Sequence, residues 1–422
     1  MSDFTAFDFK DELNNAISDL AYRNPTPIQE LAIPLILANH DVMARANTGT
    51  GKTAAFGLPL LQKLLQNKQK VSGINTLILA PTRELCRQIY NNLVQFSKYT
   101  EIESVMVYGG VSGKTQLANI TDNTAIIVAT PGRLLEHLDN NAIALDKLKA
   151  LVFDEADRLL DLGFKEEINR LLAYIPINRQ NLLFSATFDE RVFNISNKLL
   201  KAPKIVEIDS TLDEENDHSL IEQNFYTVDQ NRKRELISYL IGSKNWHQVL
   251  VFVRTKKQAD TLAQEMKKDG IATASFHGDK SQGYREKTLK QFKDKDIRAL
   301  IATDVAARGI DIHNLEQVIN YELPYQAEDY IHRIGRTGRA GKKGQAISFV
   351  SPKESWLVES IEKIISKSII QQWYPGYEPT TSFEQIENNQ NKNSRRKPNK
   401  KREREKALGI NKERNHKRKR RY

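Results

Sequence analysis

DVMARANTGTGKTAAFGLPLLQKLL, residues 41–65, is the stretch that decides the fold. It opens with mainly apolar residues, passes through glycine and threonine, and closes with apolar residues at helical spacing, so it reads as strand, loop and helix in succession. That order is the setting a phosphate-binding loop requires. Gly49 and Gly51 let backbone N–H groups turn toward phosphates, Lys52 is long enough to reach the β and γ phosphates, and the Thr53 hydroxyl suits Mg²⁺. Ala46, Asn47, Thr48, Gly49, Thr50, Gly51, Lys52 and Thr53 together form a candidate nucleotide cradle. Ala46 stands where the general motif has glycine, and by itself the octet also reads as an ordinary turn.

About a hundred residues on, LVFDEADRLL at 151–160 runs an apolar strand into three carboxylates within four positions. Two unit charges about 4 Å apart repel by about 4 kcal/mol at an effective dielectric near 20, so a cation is expected beside them. A solvated acidic turn is the alternative for the string alone. Paired with the loop, Asp154 becomes the second Mg²⁺ ligand beside Thr53, and Glu155 is placed to orient or deprotonate an attacking water.

The same grammar continues outward in both directions. TLILAP at 76–81, AIIVAT at 125–130, ALVFDE at 150–155 and NLLFSAT at 181–187 read as buried parallel strands, with RELCRQIYNNLVQF and KEEINRLLAYI as amphipathic helices between them. After the acidic, aperiodic DSTLDEENDHS at 209–219, strands resume with VLVFVRT at 249–255, ALIATDV at 299–305, QVINYEL at 317–323 and QAISFVS at 345–351. The expected domains are 1–208 and 221–372, joined by a linker at 209–220, with a disordered basic tail at 373–422.

Charge is concentrated at one end. The net charge is +10, yet residues 391–422 hold sixteen Lys and Arg against three Glu, +13, which leaves −3 for residues 1–390. Such a block suits either an electrostatic tether for nucleic acid or a docking segment for ribosomal or RNA-decay proteins. One cysteine, Cys86, excludes an internal disulfide, and no run of 18 apolar residues occurs. A soluble, cytoplasmic monomer with no membrane contact is expected.

With ANTGTGKT and DEAD in order, the sequence resembles the DEAD-box RNA helicases over roughly residues 4 to 370. That resemblance implies two tandem RecA-like α/β parallel-sheet domains, ATP and Mg²⁺ as cofactors, and RNA bound largely without regard to sequence. NPTPIQ at 24–29 looks like the adenine-reading Q motif, with Gln29 reading the base and Phe4 stacking on it; Ala21 stands where glycine is common. PTREL at 81–85, Gly109 with Gly110, and TPGR at 130–133 are similar to RNA-backbone motifs, and SAT at 185–187 to the motif coupling hydrolysis to unwinding. HGDKSQGYR at 277–285, ATDVAARGID at 302–311 and HRIGRTGR at 332–339 continue the match.

The resemblance assigns RNA contacts to Pro81, Thr82, Arg83, Gly110, Thr130, Pro131, Gly132, Arg133, Gly278, Arg285 and Thr303. It assigns nucleotide contacts to Gly309 and Asp311, coupling to Asp157, Ser185, Thr187 and His332, and arginine fingers to Arg336 and Arg339, whose spacing would share one face of a helix. Residues 231–256 and PGYEP at 375–379 are similar to bacterial RhlE-type members. An RNA clamp with little unwinding is a rival activity; a DNA translocase is disfavoured by the Q motif and HRIGRTGR.

Overall fold

The computed structural model describes residues 3–46, 49–66, 73–208, 220–307, 310, 312, 315–338, 343–365 and 367–380. Among them the strands form two seven-stranded sheets, and every strand pair is parallel. The first contains β1 (Val42–Arg45), β2 (Thr76–Leu79), β3 (Glu103–Val107), β4 (Thr124–Ala129), β5 (Ala150–Phe153), β6 (Gln180–Ser185) and β7 (Lys204–Glu207), in the order β3-β4-β2-β5-β6-β1-β7. The second contains β8 (Ile221–Thr227), β9 (Val249–Val253), β10 (Thr273–Phe276), β11 (Ala299–Thr303), β12 (Gln317–Asn320), β13 (Gly344–Val350) and β14 (Gln371–Gln372), in the order β10-β11-β9-β12-β13-β8-β14.

The apolar runs of the sequence become the interior strands. β2, β4, β5, β6, β9 and β11 are buried along their whole length, because helices cover both faces of a parallel sheet. On the first sheet one face packs Leu13, Phe56, Phe96 and Phe184, and the other packs Leu138, Phe153, Leu159 and Ile168. The strands that no apolar run foretold are β3, β7, β8, β10 and β14, which lie at or next to a sheet edge. The edge strand β7 buries one residue of its four, whereas β10 is buried throughout but is half polar, with Thr273 and Ser275.

Most of the expected linker and residues 381–422 lie outside the described residues. The expected boundary at 372 is corrected, since residues beyond it strap onto the second domain. Tyr374 packs edge-on to Tyr226 at 5.5 Å, Tyr377 packs on Tyr239 at 5.9 Å, and the Thr380 amide donates to Asp229 at 2.9 Å. Aromatic side chains hold this segment, which its low aliphatic content conceals.

Candidate active site and RNA interface

Strand order divides the carboxyl edge of the first sheet into two functional halves. The neighbouring strands β5, β6 and β1 end in DEAD, SAT and the phosphate loop, whereas β3, β4 and β2 end in the Gly109–Gly110 pair, TPGR and PTREL. Ligands of open α/β sheets gather beyond the carboxyl ends of the strands, so the ends that the resemblance assigns to nucleotide and those it assigns to RNA, the nucleotide half and the RNA half, lie side by side.

In the nucleotide half, the Ala46 amide donates to the Ser185 carbonyl at 3.0 Å, tying the loop to the end of β6. Lys52 opens the helix Lys52–Gln66, is 6% exposed, and donates to the Ala46 carbonyl at 3.0 Å. Gly49 and Gly51 both have φ of 90°, and a Cβ at Gly51 would strike the Gln29 amide. Gln29 Nε2 donates to the Gly51 carbonyl at 3.1 Å, its Oε1 accepts from the Thr26 amide at 3.0 Å, and the Thr26 hydroxyl donates to the Thr50 carbonyl at 2.8 Å. The Q motif is therefore latched to the phosphate loop, and Gln29 keeps one donor and one acceptor position for a base. Phe4 is buried and stacked on Tyr22 at 6.1 Å, part of the wall of the first domain. Asn47 and Thr48 lie outside the described residues.

The acids follow β5. Asp154 is 2% exposed, and burial pushes its carboxyl up to about 6 against the pull of Lys52, with Glu155 adding to the rise. Burial likewise raises Asp157, against the pull of Arg158. Glu155 sits at φ 51°, ψ 55°, a left-handed conformation that costs a residue with a side chain about 1–2 kcal/mol. Strain of this kind concentrates at functional sites. The Glu155 amide donates to Asp154 at 3.0 Å, and the Asp157 amide to the Ser185 hydroxyl at 3.3 Å, so DEAD and SAT are fastened together. Thr187 borders an interdomain cavity of about 270 Å³ beside Asp157 and Arg158.

These residues fit a divalent cation. Glu155 Oε2 and Asp157 Oδ1 are buried with no hydrogen-bond partner, and Thr53 is half-buried in the first turn of its helix. No cluster of three metal-ligating side chains forms among the described residues. Mg²⁺ does not require one, because it takes much of its oxygen shell from water and phosphate.

In the RNA half, Pro81 and Thr82 close β2, and the Thr82 hydroxyl caps the helix Arg83–Phe96 by accepting from the Leu85 amide at 3.2 Å. Arg83 lies against Gly110, where φ is 83° and a Cβ would collide with the guanidinium. Thr130 and Pro131 start the helix Pro131–Asp139, Gly132 faces open space, and Arg133 donates to the Val111 carbonyl at 3.1 Å. Gly278 is exposed beyond β10, and Thr303 ends β11 at 7% exposure. Arg285 carries the expectation of an RNA contact. It is 6% exposed, pairs with Glu84 of the first domain at 2.8 Å, and covers the Phe276 ring.

The second domain brings His332 to the cleft. His332 Nδ1 lies 2.9 Å from Arg158 Nη2. The expectation of a helix carrying both fingers is corrected: the helix Ala327–Ile334 stops at its cap Gly335, and Arg336 lies in the following turn with Nη1 donating to the Ile310 carbonyl at 3.0 Å. Gly309, Asp311 and Arg339 lie outside the described residues. Sequence reading passed over Glu84, Arg158 and Asp329, which bridge the domains, and Arg333, which is 1% exposed and holds Asp304 through two contacts of 2.6 and 2.7 Å. Arg333 sits inside HRIGRTGR, yet its neighbours Asp304, just past the end of β11, and Asn320, at the end of β12, come from other segments.

Sequence profiles of the DEAD/DEAH box helicase family and of the helicase conserved C-terminal domain match residues 26–195 and 232–341. Similar proteins include an ATP-dependent RNA helicase CshA of Listeria monocytogenes, 39% identical over 87% of this chain and 69% of the relative. A DEAD-box ATP-dependent RNA helicase RhpA of Helicobacter pylori is 41% identical over 87% of this chain and 73% of the relative. Among solved structures, S. cerevisiae Dbp5 bound to RNA and ADP BeF3 is 32% identical with a TM-score of 0.78, covering 92% of this chain and 98% of that one. Mss116p bound to ssRNA and AMP-PNP is 29% identical with a TM-score of 0.77, covering 92% and 80%. Likeness across both sheets gives the tandem RecA-like architecture.

Proposed function

The chain belongs to the DEAD-box ATP-dependent RNA helicases, and from that membership we propose that its ATP hydrolysis is gated by RNA-driven closure of the two domains. The observation that carries the reading is the placement of Lys52, Asp154 and Glu155 in one domain and Arg336 in the other, with ion pairs spanning the cleft between them. Gln29 reads the adenine, with Phe4 behind it, and the phosphate loop cradles the phosphates. Thr53 and Asp154 would hold Mg²⁺, which when bound neutralises phosphate charge. Glu155 orients or deprotonates the attacking water, and Arg336 with Arg339 supplies permanently charged donors to the transferred phosphate. An arginine finger contributes about 10³ to 10⁵ in turnover, so an open enzyme is nearly inactive.

RNA spanning both carboxyl edges supplies the binding energy that favours closure. The small, hydroxyl and arginine side chains of the RNA half suit phosphates and 2′-hydroxyls, without base readout. Bending of one strand then separates a short duplex locally. The RhlE-type assignment is supported by contact between the two stretches that suggest it: Arg232 donates to the Gly376 carbonyl at 2.8 Å and covers Tyr377. A cytoplasmic monomer working in ribosome assembly or RNA turnover completes the proposal; no helix among the described residues is long and apolar enough to cross a membrane.

The test is ATP hydrolysis without nucleic acid, with single-stranded RNA and with the matching DNA, using Glu155→Gln as the blank. Stimulation by RNA alone that disappears in the variant is expected. Equal stimulation by DNA, or none by either, would defeat the proposal.

A further inference from the structure

Arg158 directly follows the DEAD string and is 4% exposed, deep for a guanidinium, and its donors are divided between the domains. Nη1 lies 2.9 Å from Asp161 on its own helix and 2.9 Å from Asp329 of the second domain, while Nη2 meets His332 Nδ1 at 2.9 Å. A guanidinium only donates, so in this arrangement Nδ1 accepts and the imidazole proton sits on Nε2. The Glu328 carbonyl, 3.3 Å from the same Nδ1, is the partner it would take as a donor.

Asp329 and His332 lie one turn apart on the helix Ala327–Ile334, which leads through Gly335 into Arg336. On the other side, Asp161 accepts from Arg191 at 2.8 Å, and Arg191 also holds Asp189, the cap of the helix Glu190–Leu199 that follows SAT. We infer that Arg158 is a positioning residue of closure: its contacts with Asp329 and His332 seat the helix leading to Arg336 against the helix that begins behind Glu155. The inference rests on the closure-gated reading above. Opening removes Asp329 and His332 and leaves the guanidinium with the acids of its own domain, so these two charge-assisted contacts exist in the closed form alone.

The experiment is steady-state ATP hydrolysis by the full chain at saturating single-stranded RNA, for wild type, Arg158→Met, Asp329→Ala and the double variant, beside nucleotide binding without RNA. Each single change is expected to lower kcat about tenfold or more, with KM for ATP and nucleotide affinity within about twofold. The double variant should be no worse than the weaker single one, since both remove the same contact. Losses that multiply, or an unchanged kcat in either single variant, would overturn the inference. Should Arg158→Met fail to fold, Asp329→Ala decides alone by its kcat against its nucleotide affinity. A wild-type chain that RNA does not stimulate would bring down the gated reading and this inference together, whereas stimulated wild type with unaffected variants removes only the latter.

Discussion

Asp154 holds its charge in a place that favours the protonated form. Its folded value of about 6 exceeds the ordinary 3.8, so the linkage is unfavourable to folding: absent below about 3.8, it grows through the interval and is complete above about 6. That difference corresponds to about 3 kcal/mol. Asp154→Asn is therefore expected to raise the melting temperature of the nucleotide-free chain by several degrees at pH 7.5, with about half the free-energy gain at pH 5, while hydrolysis falls to background. Thermal scans at both pH values check this. The type and spacing of Lys52, Asp154 and Glu155 were legible in the sequence because a local strand and loop carry each one. The pairings of Arg158 with Asp329, Arg285 with Glu84 and Arg333 with Asp304 were not, because each joins segments remote in the chain.

At the scale of elements, the helix Asp11–Asp19 ends with the Tyr22 amide donating to the Ile17 carbonyl at 3.2 Å, and Ala21 between them has φ of 54°. This is the left-handed closing position that glycine occupies at no steric cost. Ala21 is exposed, so Ala21→Gly forfeits little packing and is expected to stabilise the first domain by about 0.5–1 kcal/mol, read as a higher midpoint in urea. The departure at residue 21 was visible in the sequence, and its cost became visible only with the backbone angle. Helices showed a similar split. Residues 83–96 read as one helix and form one, whereas HRIGRTGR suggested a helix bearing both arginines until Gly335 proved to end it. Interior strands announced themselves through continuous apolar runs; β3 and β7 did not, because each is partly exposed at a sheet edge, and β10 did not, because Thr273 and Ser275 are buried polar residues.

For the whole molecule, closure is marked by Arg87–Glu286 at 2.5 Å, Glu84–Arg285 at 2.8 Å and Arg158–Asp329 at 2.9 Å. The first is partly exposed and open to salt screening, and the other two are buried. The tail belongs to this scale too. A chain ending at Gln390 is expected to lose RNA affinity at low salt, to converge with the full chain as salt rises, and to keep its maximal hydrolysis rate, because counterion release governs a +13 segment. Titrations of both chains at two salt concentrations check it, and equal affinity at low salt would assign the tail to protein partners instead. What the sequence determined by itself were two successive parallel α/β sheets and the local motifs at their strand ends, since hydrophobic periodicity and loop chemistry are short-range properties. What only the tertiary structure decided was the grouping of those ends into two neighbouring sets along one sheet edge, and the pairing of charges across the cleft. Strand order and domain contact join residues from separate segments, as β5 meets β6 and Glu84 meets Arg285, and no local pattern records such a meeting.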